Sequence, residues 1–176
     1  RNTFNLSKLL HRAHTKLALA QYSIERINED DAFLDSACFE IQQSIEFALK
    51  YWIELYGLGY SRTHDIANLI AQLVAHGERA EVLQELNNNA NLYTSWEARS
   101  RCYDDFCSTI HDVTIAAELA AKLIDLLKSY SSNDEKDEDF IAWCNEFAPE
   151  AIKSRPMHEM LEIMRPIYEA QNSSQH

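Results

Sequence analysis

Only three glycines and three prolines punctuate this chain of 176 residues, and that scarcity constrains the fold more than any other feature. Sheets built from short strands need many tight turns, and tight turns draw on residues that accept positive φ or fix φ in advance. Ala, Leu, Glu, Gln and Lys recur instead, and they lose little entropy on entering a helix. The expectation is an all-α chain, an up-and-down bundle of about five helices with a short helical C-terminal extension.

Helical periodicity places the pieces. Leu6, Leu9, Leu10, Ala13, Leu17, Ala20, Ile24 and Ile27 keep one apolar stripe, predicting a first helix over about Leu6–Asn28. A second is predicted from near Asp31 to Tyr56, with Cys38, Ile41, Ile45, Ala48, Leu49 and Trp52 on its buried face and Gln43, Glu46 and Lys50 opposite. Gly57 is placed to end it in a left-handed conformation. Thr63 is the expected N-cap of a third helix, with Asp65 in its first turn. The segment 79–99 has helical spacing, but Asn87, Asn88 and Asn89 weaken its middle, leaving one soft helix or two short ones. An irregular connection then leads to a helix over about Asp112–Tyr130. Three units are therefore expected: a bundle over residues 1–130, a charged linker over 131–139, and a helical appendage over 140–176, cut by Pro149, Pro156 and Pro166 and ending in a disordered tail.

A formal net charge of −12 repels a polyanion, so binding along an extended nucleic-acid backbone is not expected. A small anion pocket or a basic partner stays compatible with it. Of four cysteines, Cys38 lies on the apolar face, and Cys102 and Cys107 have no second close pair to complete a zinc site. His11 and His14 lack a third ligand nearby, and His158-Glu159-Met160-Leu161-Glu162 carries Glu where a zinc-protease helix needs its second His. Neither metal nor cofactor is expected. No apolar run approaches the length of a membrane span, and no signal-peptide pattern is present, so a cytoplasmic setting is expected.

Two stretches carry a resemblance. The run Gln43-Ser44-Ile45-Glu46-Phe47-Ala48-Leu49-Lys50, followed by Thr63-His64-Asp65-Ile66, resembles the HEPN domain (higher eukaryotes and prokaryotes nucleotide-binding). That family shows Gln-Ala-x-Glu-x-x-x-Lys on its second helix, here with Ser44 for Ala, and a Thr-His-Asp-aliphatic start to its third. Ser100–Phe106 falls where the family has an Arg-Tyr-Pro turn, and the likeness covers roughly Leu6–Tyr130. Gln43, Glu46, Lys50, Thr63, His64 and Asp65 are its motif residues.

In the ribonucleases of that family an Arg precedes a His by four to six residues; the His activates a ribose 2′-hydroxyl and the Arg holds phosphate. Here neither Arg99 nor Arg101 stands at that distance from His111, and Arg62–His64 and Arg12–His14 are too tight. The resemblance therefore implies a nucleotide-binding or partner-binding module more than an enzyme. It further implies a homodimer working with a nucleotidyltransferase in a toxin–antitoxin or stress-response pair. Lys50, Arg62, His64, Arg99 and Arg101 are the cations for a phosphate, and Tyr103, Tyr60 or Tyr51 the surface for a base. Alternatives are a metal-independent RNA-cleaving toxin in which His64 or His111 converges with Arg99 or Arg101, and a non-catalytic interaction domain whose Met157, Met160 and Met164 dock on a partner helix. For single residues, plainer readings stand beside these: a solvated ion pair for Glu46–Lys50, a capping role for Thr63–Asp65, and core packing for Trp52 and Trp96.

Overall fold

The computed structural model describes residues 3–98, 102–103, 106–130 and 135–173. The chain is all-α, and its centre is a helix wrapped on nearly every side. The first helix, α1 (Thr3–Ile24), turns back through Glu25–Asp31 into α2 (Ala32–Leu55). Their contacts run in opposite senses: Lys16 reaches Glu40 at 3.1 Å, and the Ser44 hydroxyl donates to the Ala13 carbonyl at 2.7 Å. The pair is antiparallel. Ser44 thus replaces a motif Ala with a side chain just as close-packing that also satisfies a carbonyl of α1.

Gly57, at φ +73°, ends α2 as the sequence predicts. The third helix, α3 (Ile66–Ala75), carries Ile66, Leu69, Ile70 and Leu73 inward. The Asn-rich segment resolves into two helices, α4 (Glu81–Asn87) and α5 (Ala90–Ser95), with the break at Asn88–Asn89. A 3₁₀ turn over Trp96–Ala98 follows, and the connection expected to be irregular contains a two-residue antiparallel ladder, β1 (Cys102–Tyr103) with β2 (Phe106–Cys107). Thr109 and Asp112 then cap α6 (Ile110–Tyr130) reciprocally: the Thr109 amide donates to Asp112 Oδ2 at 2.8 Å and the Asp112 amide to Thr109 Oγ1 at 3.2 Å.

α2 packs on α1, α3, α6 and the 3₁₀ turn, so its polar side as well as its apolar one is covered. Its core is aromatic and aliphatic, with Trp52, Ile41, Ile45 and Leu49 at 0 % exposure. Burying each such side chain stabilises by about 1.5–3 kcal/mol.

Three boundaries of the C-terminal region differ from the sequence reading. α7 (Glu135–Phe147) begins inside the stretch read as a linker. After the short α8 (Glu150–Lys153), α9 (Met157–Ser173) runs straight through Pro166, which is exposed, so the hydrogen bond it forgoes lies on the solvent side. Helix continues to Ser173, into the segment expected to be a disordered tail. Met157, Met160 and Met164 do not present a stripe to a partner: they are buried against the chain's own core, together with Phe140, Ile141 and Cys144. Burial pushes the Cys144 thiol up to about 12, against the pull of Arg165, which leaves it an inert packing group.

One buried carboxylate holds this region down. Glu78 Oε1 accepts from the Trp52 indole at 3.2 Å, from the Tyr56 hydroxyl, and from the Met157 amide at 2.9 Å. Asn145 Nδ2 donates to the Leu55 carbonyl beside it. The neighbouring Gly77, at φ +109°, sits so close that an added Cβ would stand 2.0 Å from the Ser154 carbonyl oxygen. Only glycine fits there.

Candidate functional site

The polar side of α2 meets the start of α3 around Glu46. This carboxylate, 5 % exposed, receives Lys50 Nζ on Oε1 at 2.7 Å and Gln42 Nε2 on Oε2 at 2.8 Å. His64 Nδ1 stands 3.1 Å from both oxygens, and its Nε2 stands 3.2 Å from Glu97 in the 3₁₀ turn. Burial alone would raise the Glu46 pKa, but hydrogen bonds from Lys50, Gln42 and His64 and the Lys50 charge outweigh it and hold the carboxyl below its ordinary value. An ionised carboxylate is thus fixed beneath the surface, capped by an imidazole whose side chain is 60 % exposed.

Local chain geometry puts His64 there. Gly57 turns the chain out of α2, and the Thr63 hydroxyl accepts from the Asp65 amide at 3.0 Å. Asp65 in extended geometry then accepts from the Asn68 amide at 3.2 Å, which makes Asp65 and not Thr63 the N-cap of α3. Both residue types cap helices well; the expected roles are displaced by two positions because Thr63 is spent on the turn before the helix. The Ile66 amide is satisfied by Thr94 of α5 at 3.1 Å.

Lys50 extends the network further. Its ammonium lies 5.2 Å from the centre of the Tyr60 ring, in cation–π range. The order from exposed imidazole to aromatic ring is therefore His64, Glu46, Lys50, Tyr60. Chemically the arrangement positions more than it reacts. Both nitrogens of His64 face carboxylates, and Lys50 is committed to Glu46, so neither carries a free lone pair aimed at a substrate.

The structure brings together Glu46, Lys50 and His64 of the expected residues, and places Thr63 and Asp65 beside them. It moves Gln43 out: the partner of Glu46 is Gln42, one residue earlier and one helical turn away. The reading of Glu46–Lys50 as a solvated pair on a wet face is overturned, because α2 is covered on that side too. Arg62 is exposed on the loop before α3, and His111 is exposed in the first turn of α6 with no described bond to the network. Arg99 and Arg101 lie outside the described residues; Tyr103 lies in β1, its backbone paired with Phe106. Sequence reasoning passed over Gln42, Glu97 and Glu78, and left Tyr60 as one of three tyrosines. Spacing signalled only Gln42, at i, i+4 to Glu46. Among the described residues no three His, Cys, Asp or Glu side chains gather as a metal site, and no helix is long and apolar enough to cross a membrane.

Comparison with known proteins bears on the family. Neither a curated protein nor a solved structure matches the chain. A family profile does: that of the HEPN domain, over residues 6–130, which runs from the first turn of α1 to the end of α6 and includes every residue of the Glu46 network. The chain belongs to the HEPN-domain family.

Proposed function

We propose that this HEPN domain is a binding module, not a nuclease: it takes a nucleotide, forms a homodimer, and works in the cytoplasm with a nucleotidyltransferase partner in a toxin–antitoxin or stress-response pair. One observation supports the non-catalytic part above others. The motif histidine, His64, has carboxylates at 3.1 Å and 3.2 Å from its two ring nitrogens, and a general base needs a nitrogen open toward the proton it takes. The motif is then a brace that ties α2, α3 and the 3₁₀ turn together and holds Tyr60 through Lys50.

The test joins three measurements on the intact chain: thermal melting with millimolar ATP or GTP, light scattering, and co-purification with a nucleotidyltransferase encoded beside it. A rise in melting temperature with nucleotide and a stable complex are expected. No shift and no complex would end the proposal. Degradation of RNA by the wild type that disappears in His64→Ala or His111→Ala would replace it with the RNA-cleaving reading.

A further inference from the structure

The first half of α1 and the chain leaving α2 enclose a cleft of about 280 Å³, lined by Lys8, Leu9, Arg12, Glu54 and Tyr60. Lys8 and Arg12 stand four residues apart on α1 and so share a face. Neither is ion-paired with a described residue, whereas Lys16, the next cation along that helix, reaches Glu40 at 3.1 Å. In a chain of net charge −12, two cations with no ion pair among the described residues, set beside the one carboxylate of Glu54, are a local reversal of sign. A larger groove of about 410 Å³ between α3 and α4 makes the contrast. Its one cation, Arg79, is spent on the carbonyls of Val74 and Glu78 at 2.9 Å and 2.6 Å, and its other lining is mostly aliphatic.

We propose that the cleft between α1 and Tyr60 binds a single mononucleotide, with Arg12 and Lys8 on the phosphates and the base stacked on the Tyr60 ring. Guanidinium and ammonium groups form charge-assisted bonds to phosphate oxygens. An aromatic ring offers every base a stacking surface. The volume suits one nucleotide and not an oligomer, being near the lower end of ligand pockets at about 300 Å³. Lys50 lies 5.2 Å from the centre of the Tyr60 ring, so the buried motif acts on the ligand indirectly, by fixing the ring.

This assignment rests on the nucleotide-binding reading and locates it. Calorimetric titration of the intact chain with ATP, and separately with tripolyphosphate, tests it. Arg12→Ala is expected to weaken ATP and tripolyphosphate alike, by about tenfold. Tyr60→Ala should weaken ATP several-fold and leave tripolyphosphate unchanged, and Tyr60→Phe should restore ATP binding. Lys122→Ala, an exposed control on α6 paired with Glu85, should bind as the wild type does. ATP binding that is the same in Arg12→Ala and Tyr60→Ala would overturn the site while leaving the nucleotide-binding reading standing. Absence of ATP binding to the wild type at millimolar concentration would overturn both, and equal affinity for tripolyphosphate and ATP would overturn the nucleotide as ligand.

Discussion

Among the described residues two carboxylates are buried, and they are solvated by opposite means. Glu46, 5 % exposed, faces a cation, an amide and an imidazole, and its network opens to water at His64. Glu78, 1 % exposed, receives its three described hydrogen bonds from neutral donors, an indole, a phenol and a backbone amide. Its charge reaches further: burial, and after it the negative charge of Glu78, holds the Tyr56 and Tyr130 phenols well above their ordinary values. The difference separates two jobs. A carboxylate matched by a cation joins elements of the family bundle at a network that opens to water. One dressed only by neutral dipoles fastens the C-terminal helices to that bundle.

The sharpest way to break the comparison is Glu78→Ala. It leaves the Trp52 indole, the Tyr56 hydroxyl and the Met157 amide facing an apolar gap at the seam. We expect a loss of about 3–5 kcal/mol, the scale for removing one partner from a buried charged cluster. Equilibrium denaturation measures the loss, and hydrogen exchange should show α9 protected less than α2. A loss under about 1 kcal/mol would mean that the apolar contacts of Met157, Met160 and Phe140 hold the seam unaided.

The same comparison shows what a sequence exposes. The core stripe of α2 and the left-handed Gly57 follow from periodicity and backbone preference, both local properties. Glu46 and Lys50 are legible as an i, i+4 pair, and His64 joins them through the resemblance to the family motif, but the burial of the group is not legible. It depends on how many neighbours surround α2, which no single helix encodes. The choice of Gln42 over Gln43 is likewise tertiary, since either glutamine can reach Glu46 along one helix. Glu78 gave no signal. It is a loop residue after a glycine, and its three donors come from residues 52, 56 and 157. Composition misread the start of α7 for a related reason: acidic residues in a row describe a solvated linker and a well-placed first helical turn equally well.

Glu46→Gln should cost less than Glu78→Ala, because the amide keeps an acceptor for Lys50 and leaves the shape intact. The Lys50 ammonium, 9 % exposed, would lose its counter-charge, at about 2–3 kcal/mol near neutral pH. The pH dependence carries a sign. The folded pKa of Glu46 lies below the ordinary 4.5, so its contribution is fully present above that value and is lost as pH falls through the folded pKa. Urea unfolding at a series of pH values should therefore show the two proteins converging in acid. A gap that stays constant below pH 4.5 would assign the loss to packing and not to charge.

The smallest effect, and the most discriminating, belongs to His64→Ala. Its side chain is 60 % exposed, so its ionic contacts are screened and the loss should stay within about 1 kcal/mol. Yet His64 is one of the groups that lower the Glu46 pKa. Removing it should move the acid-induced loss of stability to higher pH, toward the ordinary carboxylate value, while Lys50 and Gln42 keep the carboxylate in place. Carbon-13 NMR of the Glu46 carboxyl against pH reads this directly. An upward shift with near-normal stability identifies His64 as a lid on a prebuilt carboxylate. An unchanged midpoint would place the whole stabilisation of Glu46 within α2, leaving His64 free of the brace and open to a ligand-binding or catalytic role.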